Sequence, residues 1–467
     1  MYFRVHITPR WTENTVSSLA VTGRTDRGAG AGEDVSAHIT EVVTIPFCPI
    51  FDLAFTDGAG PLPVEERECE EGFIRRKYFA AKRDTVGEVT WSYRITPRVQ
   101  PQDYRSSPYF DLVAEKGGVL GAGNTFLLHP PEREGEYDFS LAWDLSGLPE
   151  GCRAVWSFGE GNTERHCTLE EILFTAYMVG QVRSVERETA GFYWFDTLPF
   201  DAEEGTEQVV SLFAHMAALF RDKGGYYRVF TRHNGFPGGG GTAFPRSYIY
   251  GYGKDDKVTV AGLQSLLAHE MVHNWPAMAD EPAGAGTWYV EGSAEYYSVM
   301  VPLEAGLCSA ERAAEYINEK AGNYYANPQN HLSNMELGKR YWTDRRCQRV
   351  PYGRGMIYLA NLDARIRRAT GGERRLIDLE LALLALEKPT AEDFLRLGEE
   401  IAGFDLRPGY EAMCRGDFLE PEPEAFGGRF TAEPCMVRIN NAQHTVQKEL
   451  LEKEAPGFVW RVSSNPM

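Results

Sequence analysis

Apolar and polar positions alternate along residues 1 to 160 in short runs such as ITEVVTIPF, EVTWSYRITP, NTFLLHP, YDFSLAWDL and RAVWSFGEG, separated by glycine, proline and other turn residues. A period near two, rich in aromatic and β-branched side chains, predicts half-buried strands, and their spacing predicts an N-terminal antiparallel β domain over 1–164. Around GEGNTERHCTLEEILFTAYMVG the period lengthens to that of a helix, with Thr168 as N-cap ahead of Glu170 and Glu171. Strands and helices then mix. VERETAGFYWFD and YYRVFTRH read as strands, and TEQVVSLFAHMAALFRDKGG as an amphipathic helix closed by glycine. Beyond residue 255 helices dominate, through GMIYLANLDARIRRATGG, LIDLELALLALEK and TAEDFLRLGEEIAG. The pattern predicts an α+β multidomain chain: the β domain, a mixed domain over 165–405, and a short, mainly helical or irregular region over 406–467. In that last region LEPEPEAFGGRF reads as an exposed loop.

A chain of 467 residues is too long for a single hydrophobic core, which supports the division. Its formal charge of −19 argues against a nucleic-acid partner and suits attraction of cationic peptides. No window is apolar for long enough to span a membrane. The start, MYFRVHITPRW, alternates like a first strand and lacks the unbroken apolar run of a signal peptide, so a cytoplasmic location is expected. Eight scattered cysteines without a C-x-x-C pair fit reduced, mostly buried thiols. Composition leaves the oligomeric state open.

Chemistry enters at TVAGLQSLLAHEMVHNW, a run of good helix formers that Pro276 stops. His269 and His273 stand one turn apart and share a face, where two imidazoles can chelate one Zn²⁺. Glu270 beside them can take a proton from a water that the metal has acidified. Downstream, GTWYVEGSAEYYSVM reads as a second helix carrying Glu291 and Glu295, also one turn apart, and either can supply the third ligand of a catalytic site. His129, His215, His233, His331 and His444 have no partner at ligand spacing and read as packing or surface residues, and VEERECEEG as a solvated face.

HEMVHNW followed by VEGSAEYY resembles the gluzincin zinc peptidases, and within them the glycyl aminopeptidase family, related to the aminopeptidase N group. YGRGMIYLANLDARIRRATGGERRLIDLELAL is similar to the Y-x-K-G segment of that family and the helices after it, while SPYFDLVAEKGGVLGAGNTFLLHP and AFPRSYIY match earlier parts more loosely. The likeness spans most of residues 1 to 430 and is strongest from 262 to 390. It implies that 165–405 is a thermolysin-like catalytic domain with one zinc ion per chain, a peptide substrate, and a cleft between a glycine-rich strand and the zinc-bearing helices. By position, Glu291 becomes the third ligand and Glu295 the carboxylate that orients His269. Tyr352 becomes the hydrogen-bond donor to the oxyanion, and Arg354, which stands where a lysine is usual, a substrate-binding residue.

Two departures matter. Seventeen residues separate His273 from Glu291, one fewer than the usual eighteen, and EPAGAGTW is where the shorter loop falls. In GGGGTAFPRS, Gly239, Gly240 and Gly241 keep the substrate-pairing glycines, but Ala243 replaces the glutamate that holds a free amino terminus, and Phe244 replaces a histidine. Glu281 or Asp280 would then have to anchor the amine. The terminal PDZ module of many relatives is not expected, since about forty residues follow GGRF. The resulting expectation is a zinc metallopeptidase, first an aminopeptidase. The alternatives are an endopeptidase, a hydrolase of modified peptides, or a catalytically silent peptide-binding protein.

Overall fold

The structure, a computed structural model, describes residues 1–42, 45–99, 109–131, 134–234, 239–253, 256–438, 452 and 454–464; Gly238 and His444 lie outside them. The chain packs as two compact units, Met1–Val210 with Gly225–Ala261, and Ser211–Gly224 with Gly262–Met467. In the first unit Leu120, Val155 and Met178 pack in one apolar cluster with Phe230 and Ile249.

The first unit is built of sheets, and its strands follow the alternation. Tyr2–Thr12 buries Phe3, Val5 and Ile7 on one side, beside Trp91, Tyr137 and Phe139. The expected purely antiparallel arrangement is corrected, however: Tyr2–Thr12 pairs antiparallel with Thr15–Thr25 but parallel with Glu136–Trp143. Alternation tells which face of a strand is buried; the direction of a neighbour more than a hundred residues away is a tertiary choice. Helix α1 (Leu169–Leu173) is capped by Thr168 as expected, but the helical period read across residues 159–180 is corrected: Thr163–Thr168 before it and Ala176–Gly180 after it are strands. The Glu171 amide donates to Thr168 Oγ1 at 3.2 Å and the Thr168 amide to Glu171 Oε2 at 3.0 Å, a reciprocal cap.

A five-stranded sheet runs in the order Arg183–Glu186, Ala190–Trp194, Tyr227–Asn234, Ser247–Gly253, Gly240–Phe244. VERETAGFYWFD, read as one strand, is therefore a hairpin. The glycine-rich strand lies at the sheet edge, antiparallel to Ser247–Gly253. Helix α2 (Ala202–Leu219) follows its amphipathic pattern.

The second unit holds α3 (Val260–Val272) from Gly262 onward, then α4 (Thr287–Glu304), α5 (Ala310–Tyr325), α6 (Asn334–Arg340), α7 (Arg345–Ala369), α8 (Leu376–Leu384), α9 (Ala391–Ala402) and α10 (Arg407–Arg415). The expected helical tail is corrected. After α10 the chain forms an antiparallel pair, Phe430–Arg438 with Glu454–Val462. Pro434 and Pro456 hide the strand pattern, yet both are tolerated in a two-stranded ribbon, where each strand has a free edge. Asn318 of α5 holds this ribbon by accepting from the Trp460 amide at 2.7 Å and donating to its carbonyl at 2.9 Å. Within LEPEPEAFGGRF, Ala425 and Phe426 are buried rather than exposed, Phe426 packing against Tyr296 and Trp460. Among the described residues no helix is long and apolar enough to cross a membrane.

Candidate metal centre

Three helices bring the site together, and two glycines set how closely they cross. On α4, Gly292 meets α7 so tightly that an added Cβ would lie 2.5 Å from Gly355 Cα, and a Cβ on Gly355 would lie 2.0 Å from the Trp288 carbonyl. No other residue type allows that approach. The contact places Tyr352, one turn before Gly355, beside Glu291, the neighbour of Gly292. Gly353 makes the corresponding crossing with α5, where a Cβ would come within 2.7 Å of the Lys320 carbonyl.

The connection from α3 to α4 is equally tight. Asp280 accepts the amides of Gly284 at 3.1 Å, Gly286 at 2.7 Å and Thr287 at 2.8 Å, and the Thr287 hydroxyl at 3.0 Å. Its carboxylate satisfies orphan donors at the start of α4, which leaves it poorly suited to anchor a substrate amine. Glu281 is exposed.

His269 closes the last turn of α3 and His273 follows it directly. Their Nε2 atoms are 3.3 Å apart, and Glu291 Oε2 lies 3.5 Å from the first and 3.7 Å from the second. Bonds of about 2.0–2.2 Å to a tetrahedral zinc place ligand atoms roughly 3.3–3.6 Å from one another; two sides of this triangle fall in that range and the third exceeds it slightly, so the three atoms fit such an ion closely. Three further observations support the fit. Glu291 Oε2 is buried without a hydrogen-bond partner among the described residues, while its Oε1 accepts from the Tyr341 hydroxyl at 3.3 Å. Burial holds His273 down to about 4, which keeps it a neutral imidazole with a free lone pair at neutral pH. Burial pushes Glu291 up, but the neighbouring His269 and His273 outweigh this, and its carboxyl lies below the usual range. Among the described residues, this trio is the group of histidine, cysteine and acidic side chains close enough to share an ion.

Around the trio, Glu295 Oε2 lies 3.5 Å from His269 Nδ1 and forms an ion pair with Lys320. The Tyr352 ring stacks on His269 with centroids 5.8 Å apart and planes 6° apart. Burial, then the Glu291 charge, raises the phenols of both Tyr352 and Tyr341 well above their ordinary value, so both remain donors. Glu270 is half-buried on α3 beside His269.

Arg354 is placed differently from the expected substrate contact. It is fully buried, and its guanidinium donates to Asn334 Oδ1 at 2.7 Å and to the carbonyls of Asn330 at 2.6 Å and Leu332 at 2.8 Å. It ties α7 to the turn before α6, because the neighbouring glycines press α7 against other helices and leave Arg354 inside. Tyr341 and Lys320 were not singled out from the sequence. Lys320 carried a signal, a lysine on the apolar stripe of α5; Tyr341 carried none.

In the first unit, Gly241 leaves room for the Tyr248 ring, which a Cβ would meet at 2.0 Å, and Gly240 faces the Tyr109 ring at 3.3 Å. A Cβ on Gly239 would lie 3.2 Å from the Tyr250 hydroxyl. Ala243 is half-buried and uncharged, and Phe244 is buried beside Phe110.

No family model and no curated protein matches this chain. Solved structures do. The chain is similar to an aminopeptidase N family protein from Idiomarina loihiensis, with a TM-score of 0.72 and 12% identity over 94% of this chain and 80% of that one. It is similar to an M1 zinc metallopeptidase from Deinococcus radiodurans, a mutant bound to a Tyr-Ser-Ala substrate, at a TM-score of 0.58 and 14% identity over 91% of this chain and 95% of that one. Native yeast LTA4 hydrolase follows at 0.53 and 12% identity, over 91% of this chain and 69% of that one. At such identities the likeness shows the fold, which is that of the M1 zinc metallopeptidases.

Proposed function

We propose that this chain is a zinc-dependent metallopeptidase that hydrolyses peptide bonds, first an aminopeptidase. The observation that carries the reading is the triangle of His269 Nε2, His273 Nε2 and Glu291 Oε2, with the carboxylate oxygen buried and, among the described residues, without a hydrogen-bond partner. These three residues would hold one zinc ion, which when bound supplies a Lewis acid that polarises the scissile carbonyl and acidifies water. Glu270 takes the proton of the attacking water and hands it to the leaving amine. Tyr352, its phenol kept protonated, donates to the carbonyl oxygen as charge gathers there in the transition state. Glu295 holds His269 through Nδ1. Gly239, Gly240 and Gly241 lead into an edge strand whose backbone can pair with an extended peptide.

A second reading, hydrolysis away from a free amino terminus, is favoured by Ala243, which offers no carboxylate, and by Asp280, whose carboxylate caps α4. Metal analysis joined to hydrolysis of aminoacyl and N-blocked peptide reporters separates the readings. Turnover of free-amine substrates with zinc bound supports the aminopeptidase. Cleavage of blocked peptides alone supports the second reading, and zinc-free protein without turnover leaves a peptide-binding protein. Glu270→Gln is expected to retain zinc and lose at least about 10²-fold in kcat; undiminished turnover removes Glu270 as the base.

A further inference from the structure

The buried face of α5 is drawn by Ala313, Tyr316, Ile317, Ala321 and Tyr324, and Lys320 lies on that same stripe with its side chain only 13% exposed. An ammonium group in such a place is costly unless a counter-charge meets it. Burial, joined by the nearby Arg349 charge, pulls its pKa down to about 7. Its partner is Glu295 of α4, itself 10% exposed, and the Glu295 oxygen that pairs with Lys320 is the one facing His269 Nδ1. Lys320, Glu295 and His269 thus form a line across α5, α4 and α3. It ends on the imidazole nitrogen opposite the one that would bind metal. The base of Lys320 is held as well: Gly353 presses α7 against its carbonyl, and Asn318, two residues earlier, fastens α5 to the C-terminal ribbon.

We infer that Lys320 is a positioning residue for the metal site, acting through Glu295; the inference rests on the metallopeptidase reading above. Lys320 keeps Glu295 aimed at His269. Held there, Glu295 faces Nδ1, which fixes the orientation of the ring and turns the Nε2 lone pair towards the other two ligands. Without Lys320, Glu295 loses the ion pair that holds its carboxylate between α4 and α5. The carboxylate is then free to swing away from Nδ1, and His269 is free to turn. An ion pair that merely stitched α4 to α5 would change folding and leave metal affinity alone.

The test uses the full chain as wild type, Lys320→Met, Glu295→Gln and the double variant. Zinc affinity is measured by competition with a chelator, and unfolding of the metal-free form is followed by circular dichroism. Lys320→Met is expected to weaken zinc binding about 10- to 100-fold, the range for a carboxylate behind a ligating histidine. In the Glu295→Gln background the same change should have almost no further effect. Lys320→Arg, which keeps the charge, should bind zinc nearly as wild type does, and Lys320→Gln, with the same expected loss, takes the place of Lys320→Met should that variant fail to fold. Affinity of Lys320→Met within twofold of wild type, an undiminished penalty in the Glu295→Gln background, or equal loss in Lys320→Arg overturns the inference alone. Wild-type protein that takes up no zinc overturns the metallopeptidase reading with it.

Discussion

Around His269, His273 and Glu291 the chemistry is carried by side chains, each braced by another: Glu295 behind His269, Tyr341 on Glu291, Lys320 on Glu295. In the edge strand Gly240–Phe244 it is missing side chains that shape the element. Gly241 and Gly240 make space for the rings of Tyr248 and Tyr109, and what remains exposed for pairing is backbone. The two regions respond differently to change. The metal centre loses chemistry when an atom is removed, and the glycine strand loses packing when one is added.

The largest contrast should come from Tyr352→Phe, which deletes one oxygen. A loss of about 10²–10³ in kcat is expected, roughly 3–4 kcal/mol of transition-state stabilisation, with zinc content and melting temperature unchanged. Kinetics on a reporter peptide with metal analysis checks this, and a KM effect without a kcat effect would assign Tyr352 to binding instead.

Acid should act on the first unit through His38, which is 3% exposed and lies opposite Lys77 in the sheet. Burial, helped by the Lys77 charge, lowers its pKa to about 4. The folded value is below the unfolded one, so the fold favours neutral imidazole. The stability this group contributes is whole above about pH 6.5 and is lost as pH falls towards 4, by up to about 3 kcal/mol. Unfolding followed across that range, in the presence of zinc, should show the decline, and His38→Gln should flatten it.

A smaller effect is expected of Gly241→Ala. The added methyl meets the Tyr248 ring, and overpacking of this kind costs roughly 1–3 kcal/mol. Melting temperature should fall while zinc affinity stays constant; a fall in zinc affinity would show that the two regions are not independent. The smallest is Tyr341→Phe. It removes the donor to Glu291 Oε1 and frees the carboxylate to rotate, for an expected loss of about tenfold in zinc affinity by chelator competition.

The candidate ligands His269 and His273 at the end of α3, the helix of Glu291 and the Thr168 cap were legible because each is a local pattern: two residues one turn apart, an amphipathic period, a hydroxyl three residues before a glutamate. The hairpin at Arg183–Trp194 was blurred, since its turn residues, Arg187 to Thr189, lack glycine and proline. The C-terminal ribbon was hidden by its prolines. Arg354 was misplaced because a likeness in sequence does not say which way a helix is rotated, and Gly353 and Gly355, packed on either side, decide that rotation.

By itself, the order of residues determined most of the helices and many of the strands before residue 406, and that two imidazoles one turn apart share one helical face. Those properties depend on neighbours within four positions, where backbone geometry is nearly the same in every protein. Only the tertiary structure decided that Glu291 turns to the histidines while Glu295 turns to Lys320, that Tyr341 joins them, and that the first strand runs parallel to one 134 residues later. Such choices follow from how closely helices and sheets can approach one another, and that distance is set by glycines and buried rings far apart along the chain.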